Sequence, residues 1–305
     1  MAEFSIIDQY FKRASKSDVS LGIGDDSAIV TPAPSQQLVI CTDTLVAGRH
    51  FPTDTSAHAI GWKSVAVNLS DLAAMGAKPH SILLALSLPT VDHGWLAGFS
   101  QGLFDCCDQF GVSLIGGDTT QSSQLTITVT ALGWIEHGQA ITRSGAQVGD
   151  YICVSGQVGD AAFGLKHPGH ALQQRLDYPT PRCNLGQQLK GLASSMIDVS
   201  DGLAQDLGHI LKASNVGAKL QLDQLPIDES LKKLEKQQAW HYALAGGDDY
   251  ELCFTISPQN FEKLLRQQLD VPLTIIGKIT QQTGLSFVYM GENHPLAVQG
   301  YQHFA

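Results

Sequence analysis

The sequence predicts a protein of mixed helices and strands, of the α+β class, arranged in two domains. Apolar residues at helical spacing and short β-branched apolar runs follow one another along both halves. The 305 residues are enough for two domains, each with its own core. The stretch "HGQAITRSGAQVGD" (137–150) is glycine-rich and polar, as interdomain connections often are. We therefore expect one domain over 1–145 and a second over 146–305.

The first half is predicted to alternate helices with strands. Phe4, Ile7 and Phe11 recur at helical spacing and predict a short N-terminal helix. The run "LVICTDTL" predicts a strand that ends at the acidic segment 42–44. The remaining predictions are helices at 57–75 and 92–110 and strands at "HSILLALSL", "VSLI" and "QLTITVTALGWI".

The second half repeats this mixture. A helix is expected after Gly202 and another in "SPQNFEKLLRQQL". Strands are expected at "YICVSG", "AKLQLD", "YELCFTI" and "LTIIGKI".

Composition narrows the class of protein. A formal net charge of −10 without any basic run argues against nucleic-acid binding, which needs clustered Lys and Arg. The longest apolar run, 82–88, is too short to cross a bilayer, so we expect no membrane insertion and no export. The six cysteines form no CxxC pair, which indicates neither a zinc site nor a disulfide framework and favours the reducing cytoplasm.

Acidic residues recur beside turn residues and strand ends in six places. Carboxylates on different segments repel one another unless cations share the site, and Mg²⁺ binds through carboxylate oxygens. Taken singly, each aspartate is better explained as a helix cap or a turn residue. The six places are Asp25 with Asp26, Asp43, Asp71, Asp118, Asp198 with Asp201, and Asp248 with Asp249 and Glu251.

Asp71 is the hardest of these to explain as a cap. It lies inside a helical pattern next to Asn68 and Ser70, where aspartate has poor propensity and a charge on an apolar face is costly. A compensating group should therefore lie nearby, unless the residue occupies an exposed helix face.

Several common catalytic motifs are missing. The sequence has no GxxxxGK[ST] loop, no protein-kinase motif set, and no HExxH or GxSxG. If phosphates are bound, metal ions must neutralise most of their charge, with Arg143 as a direct partner or as a solvated loop charge.

Seven segments, in this order, resemble the thiamine-monophosphate kinase family, within the superfamily that includes aminoimidazole ribonucleotide synthetase and selenophosphate synthetase. The resemblance spans nearly the whole chain. The segments are "GIGDDSA" (22–28), "TDTLVAGRHF" (42–51), "NLSDLAAMGAKP" (68–79), "LIGGDTT" (114–120), "TRSGAQVGD" (142–150), "IDVSDGLAQDLGHI" (197–210) and "GGDDYELCF" (246–254).

The resemblance implies a PurM-like fold. An N-terminal ATP- and Mg²⁺-binding domain would pair its sheet across a homodimer, and a C-terminal α+β domain would complete the active site. The implied reaction is ATP-dependent phosphorylation of thiamine monophosphate to thiamine diphosphate, the final step of thiamine diphosphate biosynthesis. It would proceed by direct in-line transfer assisted by several Mg²⁺ ions.

The resemblance also implies roles for individual residues. Arg143 would then contact ATP, and Tyr301 would lie against the thiamine rings, although Tyr301 could instead be a packing residue. The family more often has Glu at the position of Asp248, so the reach of this shorter acid to the substrate is in question. The implied Mg²⁺ ligands are Asp26, Cys41 (by its backbone carbonyl), Thr42, Asp43, Asp71, Asp118, Asp198 and Asp201; the ATP contacts are Gly117, Asp118, Arg143 and Ser200; and the substrate contacts are His50, Asp248 and Tyr301.

No general base is expected, because the attacking phosphate oxygen is already ionised. Two other interpretations remain open. One is another ATP-dependent enzyme of the same superfamily that activates an amide oxygen, and the other is a non-catalytic Mg²⁺- or Ca²⁺-binding module.

Overall fold

The computed structural model describes residues 3–13, 19–23, 27–298 and 300–301. The chain divides into two compact units, each of which contains both helices and strands. The first unit is Met1–Leu72 with Ala77–Gly138, and the second is Ala73–Gly76 with Gln139–Ala305. The mixed α+β prediction is confirmed, whereas the assignment of functions to residues 1–145 and 146–305 stays a prediction.

The elements of the first unit follow the predicted order. They are helix α1 (Glu3–Ile6), continued by a π-helical turn (Ile7–Phe11), strands β1 (Val19–Leu21), β2 (Ile29–Val30) and β3 (Gln36–Val46), helix α2 (Ala57–Ala74), strand β4 (Lys78–Leu88), helix α3 (His93–Phe110), and strands β5 (Ser113–Gln121) and β6 (Thr126–Glu136).

A four-stranded sheet in the order β3-β6-β4-β5 forms the frame of the first unit. β4 and β5 are parallel, and the other neighbours are antiparallel. Helix α2 packs on one face, because a Cβ on Gly133 of β6 would lie 3.2 Å from Leu72. Helices α2 and α3 approach so closely that a Cβ on Gly61 would lie 2.1 Å from the carbonyl oxygen of Phe99, so the sequence needs glycine there.

The opposite face of this sheet carries small hydroxyl residues and exposed apolar residues. Two cross-strand pairs of threonine hydroxyls lie within hydrogen-bond distance, Thr42 with Thr130 at 3.0 Å and Thr44 with Thr128 at 2.8 Å. On the same face of edge strand β3, Ile40 is 58% exposed. We call this surface, defined by Leu38, Ile40, Thr42 and Thr44 with their cross-strand neighbours, the open sheet face.

The second unit is built on a larger sheet with helices between its strands. Its elements are β7 (Tyr151–Ser155), α4 (Asp160–Lys166), α5 (Gln173–Asp177), α6 (Cys183–Gln188), β8 (Ala193–Asp198), α7 (Leu203–Ser214), β9 (Gly217–Gln221), a 3-10 turn (Leu222–Gln224), α8 (Glu229–Lys232), α9 (Lys236–Ala245), β10 (Leu252–Ile256), α10 (Pro258–Leu264), β11 (Leu273–Thr280), β12 (Gly284–Tyr289) and β13 (Glu292–Asn293).

The seven strands of the second unit follow the order β13-β12-β9-β11-β7-β10-β8. Among the described strands of this sheet, the β9–β12 pair alone is parallel. The amphipathic helix α7 buries Leu207 and Ile210 in a core that also contains Ile152 of β7 and Leu220 of β9. The same core contains Val199 of the loop after β8 and Leu244 near the end of α9, which precedes the loop before β10.

Several predicted element boundaries need correction. The acidic segment 42–44 lies within β3, which continues to Val46, and "GGDTT" lies within β5. Tyr250 and Glu251 precede β10, although the sequence placed both in a strand. Within the part of the chain that the structure describes, no helix has the length and apolarity that crossing a bilayer requires.

Candidate functional site

A cavity of about 850 Å³ lies in the first unit. Its volume is typical of small-molecule sites, which span roughly 300–1,000 Å³. Gly117 and Asp118 of β5 line it together with Gly22, Ile23 and Ser27, which flank the loop 24–26. The structure therefore places two predicted ATP contacts and the ends of the "GIGDDSA" segment around one cavity.

Gly117 brings β5 unusually close to β4. A Cβ on this residue, whose φ is +151°, would lie 1.9 Å from the carbonyl oxygen of Leu84. The pairing skips Ile115, which forms a bulge next to Gly116. The glycines thus allow the strand to bend into its neighbour and fix the position of Asp118.

Cys41 lies among predicted metal ligands. Its thiol donates to the carbonyl oxygen of Asn68 in α2 at 3.3 Å. Burial raises the pKa of Cys41, and the nearby charges of Asp71 and Asp43 raise it further. The structure therefore brings Asp43 and Asp71 together, and Asp71 is half-buried rather than on an exposed helix face.

Asp118 projects from the other face of the sheet. Asp43 lies in the row of Val129, Leu84 and Gly117 across the four strands, whereas Asp118 pairs with Ala85 one residue further along. Successive residues of a strand alternate between faces. Within this chain, the sheet therefore separates the carboxylate of Asp118 from those of Asp43 and Asp71, and Thr42 points to the open sheet face.

His50 lies in the turn that follows β3. The backbone N–H of Val46 donates to His50 Nδ1 at 2.9 Å, which leaves the proton of a neutral ring on Nε2. The buried Lys63 of α2 donates to the carbonyl oxygen of His50 at 3.3 Å. Sequence reasoning missed Lys63, which anchors the turn that carries this predicted substrate contact.

In the second unit, backbone bonds join the "VSDG" loop after β8 to the "GGDDY" loop before β10. The N–H of Asp248 donates to the carbonyl oxygen of Ser200 at 2.9 Å, and the N–H of Tyr250 donates to that of Val199 at 2.8 Å. Asp248 has a φ of +67°, and its carboxylate accepts from the Tyr250 hydroxyl at 3.0 Å. A predicted ATP contact and a predicted substrate contact therefore lie side by side.

The C-terminal segment joins the same loops. The N–H of Tyr301 donates to the carbonyl oxygen of Asp201 at 3.1 Å. The side chain of Gln205 donates both to the carboxylate of Asp201 and to the carbonyl oxygen of Tyr301, at 3.2 and 3.0 Å. Together with Asp198 at the end of β8, these residues form what we call the aspartate loop cluster: Asp198, Ser200, Asp201, Asp248 and Tyr301.

Asp206 in the first turns of α7 contacts this cluster and was not singled out from the sequence. Its Oδ2 accepts from the N–H groups of three consecutive residues, 200 to 202, at 3.0–3.1 Å. Burial, together with the charges of Asp198 and Asp201, raises the pKa of Asp206 to about 8. Three carboxylates are thus concentrated at one end of α7.

The acidic run "GGDDYE" does not act as one group. The buried Asp249 accepts from the N–H groups of Gly159 and Ala161 at the start of α4, at 2.6 and 3.2 Å. The buried Glu251 binds the guanidinium groups of Arg175 and Arg182. Asp249 and Glu251 are therefore structural anchors, and of the three acids only Asp248 belongs to the aspartate loop cluster.

Arg143 is exposed and lies beside the first residues of β8, since Thr142 accepts from the N–H of Met196 at 3.1 Å. Its own carbonyl oxygen accepts from Ser214 at the far end of α7. The structure gives this side chain no contact with the aspartate loop cluster.

The predicted ligand Asp26 lies outside the described residues, as does Asp25. Among the residues that are described, no group of three or more His, Cys, Asp or Glu side chains is arranged to hold a metal ion. The metal assignments of Cys41, Thr42, Asp43, Asp71, Asp118, Asp198 and Asp201 therefore stay predictions.

Comparison with known proteins identifies the family. Residues 24–135 match the model "AIR synthase related protein, N-terminal domain" and residues 170–290 match "AIR synthase related protein, C-terminal domain". Thiamine-monophosphate kinase of Escherichia coli K12 is 48% identical over 320 residues, which cover 99% of this chain and 98% of the relative.

Solved structures show the same two-domain fold. The crystal structure of thiamine-monophosphate kinase from Stenotrophomonas maltophilia K279a has a TM-score of 0.85 and 46% identity, covering 92% of this chain and 93% of that one. AaThiL complexed with AMPPCP and TMP has a TM-score of 0.78 and 29% identity, covering 90% and 89%. The PurM-like α+β prediction is thus confirmed. The chain belongs to the thiamine-monophosphate kinase family of AIR synthase related proteins.

Proposed function

We propose that this protein transfers the terminal phosphoryl group of ATP to thiamine monophosphate and so produces thiamine diphosphate. Full-length similarity to thiamine-monophosphate kinases supports the reaction, and the neighbour complexed with AMPPCP and TMP supports both substrates. The observation that carries the residue assignment is the aspartate loop cluster, in which backbone bonds join predicted metal, ATP and substrate contacts.

The charges of the substrates explain the need for metal ions. Each terminal phosphate carries roughly −1.5 to −2 near neutral pH, so the two compounds repel each other. Bound Mg²⁺ would neutralise this charge and orient the transferred group. The donor set fits the ion. The charges of Asp43 and Asp71 raise the pKa of Cys41, and those of Asp198 and Asp201 raise the pKa of Asp206. A bound cation would offset the negative charge at both places.

We assign the remaining roles as follows. The proposed contacts with ATP are Gly117 and Asp118 in the first unit and Arg143 and Ser200 in the second, and the further proposed ligands of the ions are Asp26, Cys41 and Thr42. The proton on His50 Nε2 suits a donor to the substrate phosphate, and the ring of Tyr301 suits the cationic thiamine heterocycle. No residue is assigned as a general base.

Product analysis tests the reaction. The purified protein, supplied with ATP, Mg²⁺ and thiamine monophosphate, should form thiamine diphosphate and ADP in equal amounts. Chromatography measures both products. Release of free phosphate without thiamine diphosphate would favour an amide-activating member of the superfamily.

The substitution Asp43→Asn separates catalysis from metal-dependent folding. It should lower turnover by at least ~10²-fold, because an interaction with the transferred charge is lost. Asp54→Asn, an exposed site in the following turn, is the matched control and should leave turnover unchanged. Unaltered turnover of Asp43→Asn together with lower thermal stability would support a structural metal-binding module instead.

We also propose that the protein is a homodimer that pairs through its four-stranded sheet. Edge strand β3 presents Leu38 and Ile40, which are 43% and 58% exposed, and an exposed apolar edge strand is prone to pairing. Ile40→Lys should shift the molecular mass in solution from dimer to monomer by light scattering.

We further propose a cytoplasmic location. All six cysteines carry free thiols, as expected in the reducing cytoplasm.

A further inference from the structure

The loop between β8 and α7 is held from both sides through three consecutive peptide groups. On one side, the N–H groups of Ser200, Asp201 and Gly202 all donate to Oδ2 of Asp206, at 3.0, 3.1 and 3.1 Å. Asp206 is only 2% exposed, so these bonds are shielded from water.

The carbonyl groups of the same three peptide groups point the other way and bind other segments. The carbonyl oxygen of Val199 accepts from Tyr250 at 2.8 Å, that of Ser200 from Asp248 at 2.9 Å, and that of Asp201 from Tyr301 at 3.1 Å. In a planar trans peptide the N–H and C=O point in opposite directions. A carboxylate that fixes the three N–H groups therefore also fixes the three carbonyl groups.

A helix cap alone does not explain this arrangement. A cap needs one side-chain acceptor, and the cap of α8 in the same unit shows this, since Asp228 accepts from Ser230 at 2.8 Å. Asp206 instead accepts from three consecutive N–H groups, all of which belong to the loop that precedes α7 and none to the helix itself. The carboxyl group of Asp206 therefore fixes the conformation of the loop rather than only the first turn of the helix.

We propose that Asp206 is a positioning residue that sets the geometry of Asp248 and Tyr301 relative to the metal-binding carboxylates through the three peptide groups between them. It touches neither substrate nor metal. This inference rests on the proposed function, because it assigns Asp248 and Tyr301 to the thiamine phosphate and Asp198 and Asp201 to Mg²⁺.

Two substitutions test the role. Asp206→Asn keeps an acceptor oxygen at the same reach, whereas Asp206→Ala removes it. For Asp206→Ala we expect the KM for thiamine monophosphate and the Mg²⁺ concentration for half-maximal activity to rise together by at least ~10-fold, and for Asp206→Asn a rise several-fold smaller. Asp228→Ala is the matched control, in which both values should stay within twofold of the wild type.

Amide hydrogen exchange provides a readout that does not need activity. In Asp206→Ala the amides of Asp248, Tyr250 and Tyr301 should exchange faster, whereas Asp228→Ala should leave them unchanged. If the wild-type protein makes no thiamine diphosphate, the proposed function fails, but the exchange measurement still tests the effect of Asp206 on the loop.

The positioning role is overturned if Asp206→Ala lowers only kcat, with KM and Mg²⁺ dependence unaltered, or if the three amides keep their protection. If Asp206→Ala does not fold, Asp206→Asn decides by the same measurements, with a rise in both constants and faster exchange expected.

Discussion

Breaking the buried ion cluster around Glu251 should strongly destabilise the second unit. Glu251 is fully buried, and its carboxylate accepts from Arg175, Arg182 and the hydroxyl of Ser155. Removing one partner of a buried ion pair costs roughly 3–5 kcal/mol, because the remaining charge stays buried without compensation. In Glu251→Gln we expect the lower figure, about 3 kcal/mol, since Arg175 keeps Asp160 at 3.8 Å.

Thermal and urea unfolding measure this loss. For a unit of this size each kcal/mol lowers Tm by roughly 2–4 °C, so Glu251→Gln should lower Tm by about 6–12 °C. Glu229→Gln is the matched control, because Glu229 pairs with Lys232 at 2.7 Å with its side chain 78% exposed. Its Tm should equal that of the wild type. A loss for Glu251→Gln no larger than that of the control would refute the assignment of Glu251 as a structural anchor.

Two further substitutions test other parts of the structure. Burial raises the pKa of Asp160 from 3.8 to about 6, so folding favours the protonated carboxyl group. The resulting stabilisation, in total about 3 kcal/mol, is complete below about pH 4 and is lost as pH rises through 6. Asp160→Asn should remove this part of the pH dependence in urea unfolding, and an unchanged slope between pH 4 and 6 would contradict it. Gly117→Ala should force β5 away from Leu84 and lower activity by ~10²-fold or more, since a displacement of about 1 Å at a reacting group has that effect. Gly138→Ala also has a positive φ but no atom within 4 Å of the added Cβ, and should keep its activity.

The elements with strong periodicity could be predicted from the sequence. Helix α3 ends at Gly111, which has a left-handed conformation, and α7 begins after Gly202, both as expected. The ends of β3 and β5 could not be predicted, because pairing with neighbouring strands extends both through polar residues. Local sequence does not contain that pairing information.

The site was only partly predictable for a related reason. Adjacent acids in "GGDDYE" were treated as one group, but Asp248 and Tyr250 both have positive φ, and the side chains of this run go to three different environments. Asp206 was missed because an acid in the first turns of a helix is usually a favourable partner for the helix dipole. Only the structure shows that it binds three peptide groups of the preceding loop.

The number of metal ions bound during the reaction tests the central claim most directly. Electron paramagnetic resonance can count the Mn²⁺ ions bound per chain in the presence of AMPPCP and thiamine monophosphate. We predict two or more ions per chain, and fewer in Asp43→Asn, because the carboxylates are proposed to bind several cations around the two phosphates. A single ion per nucleotide, unaffected by Asp43→Asn, would contradict it.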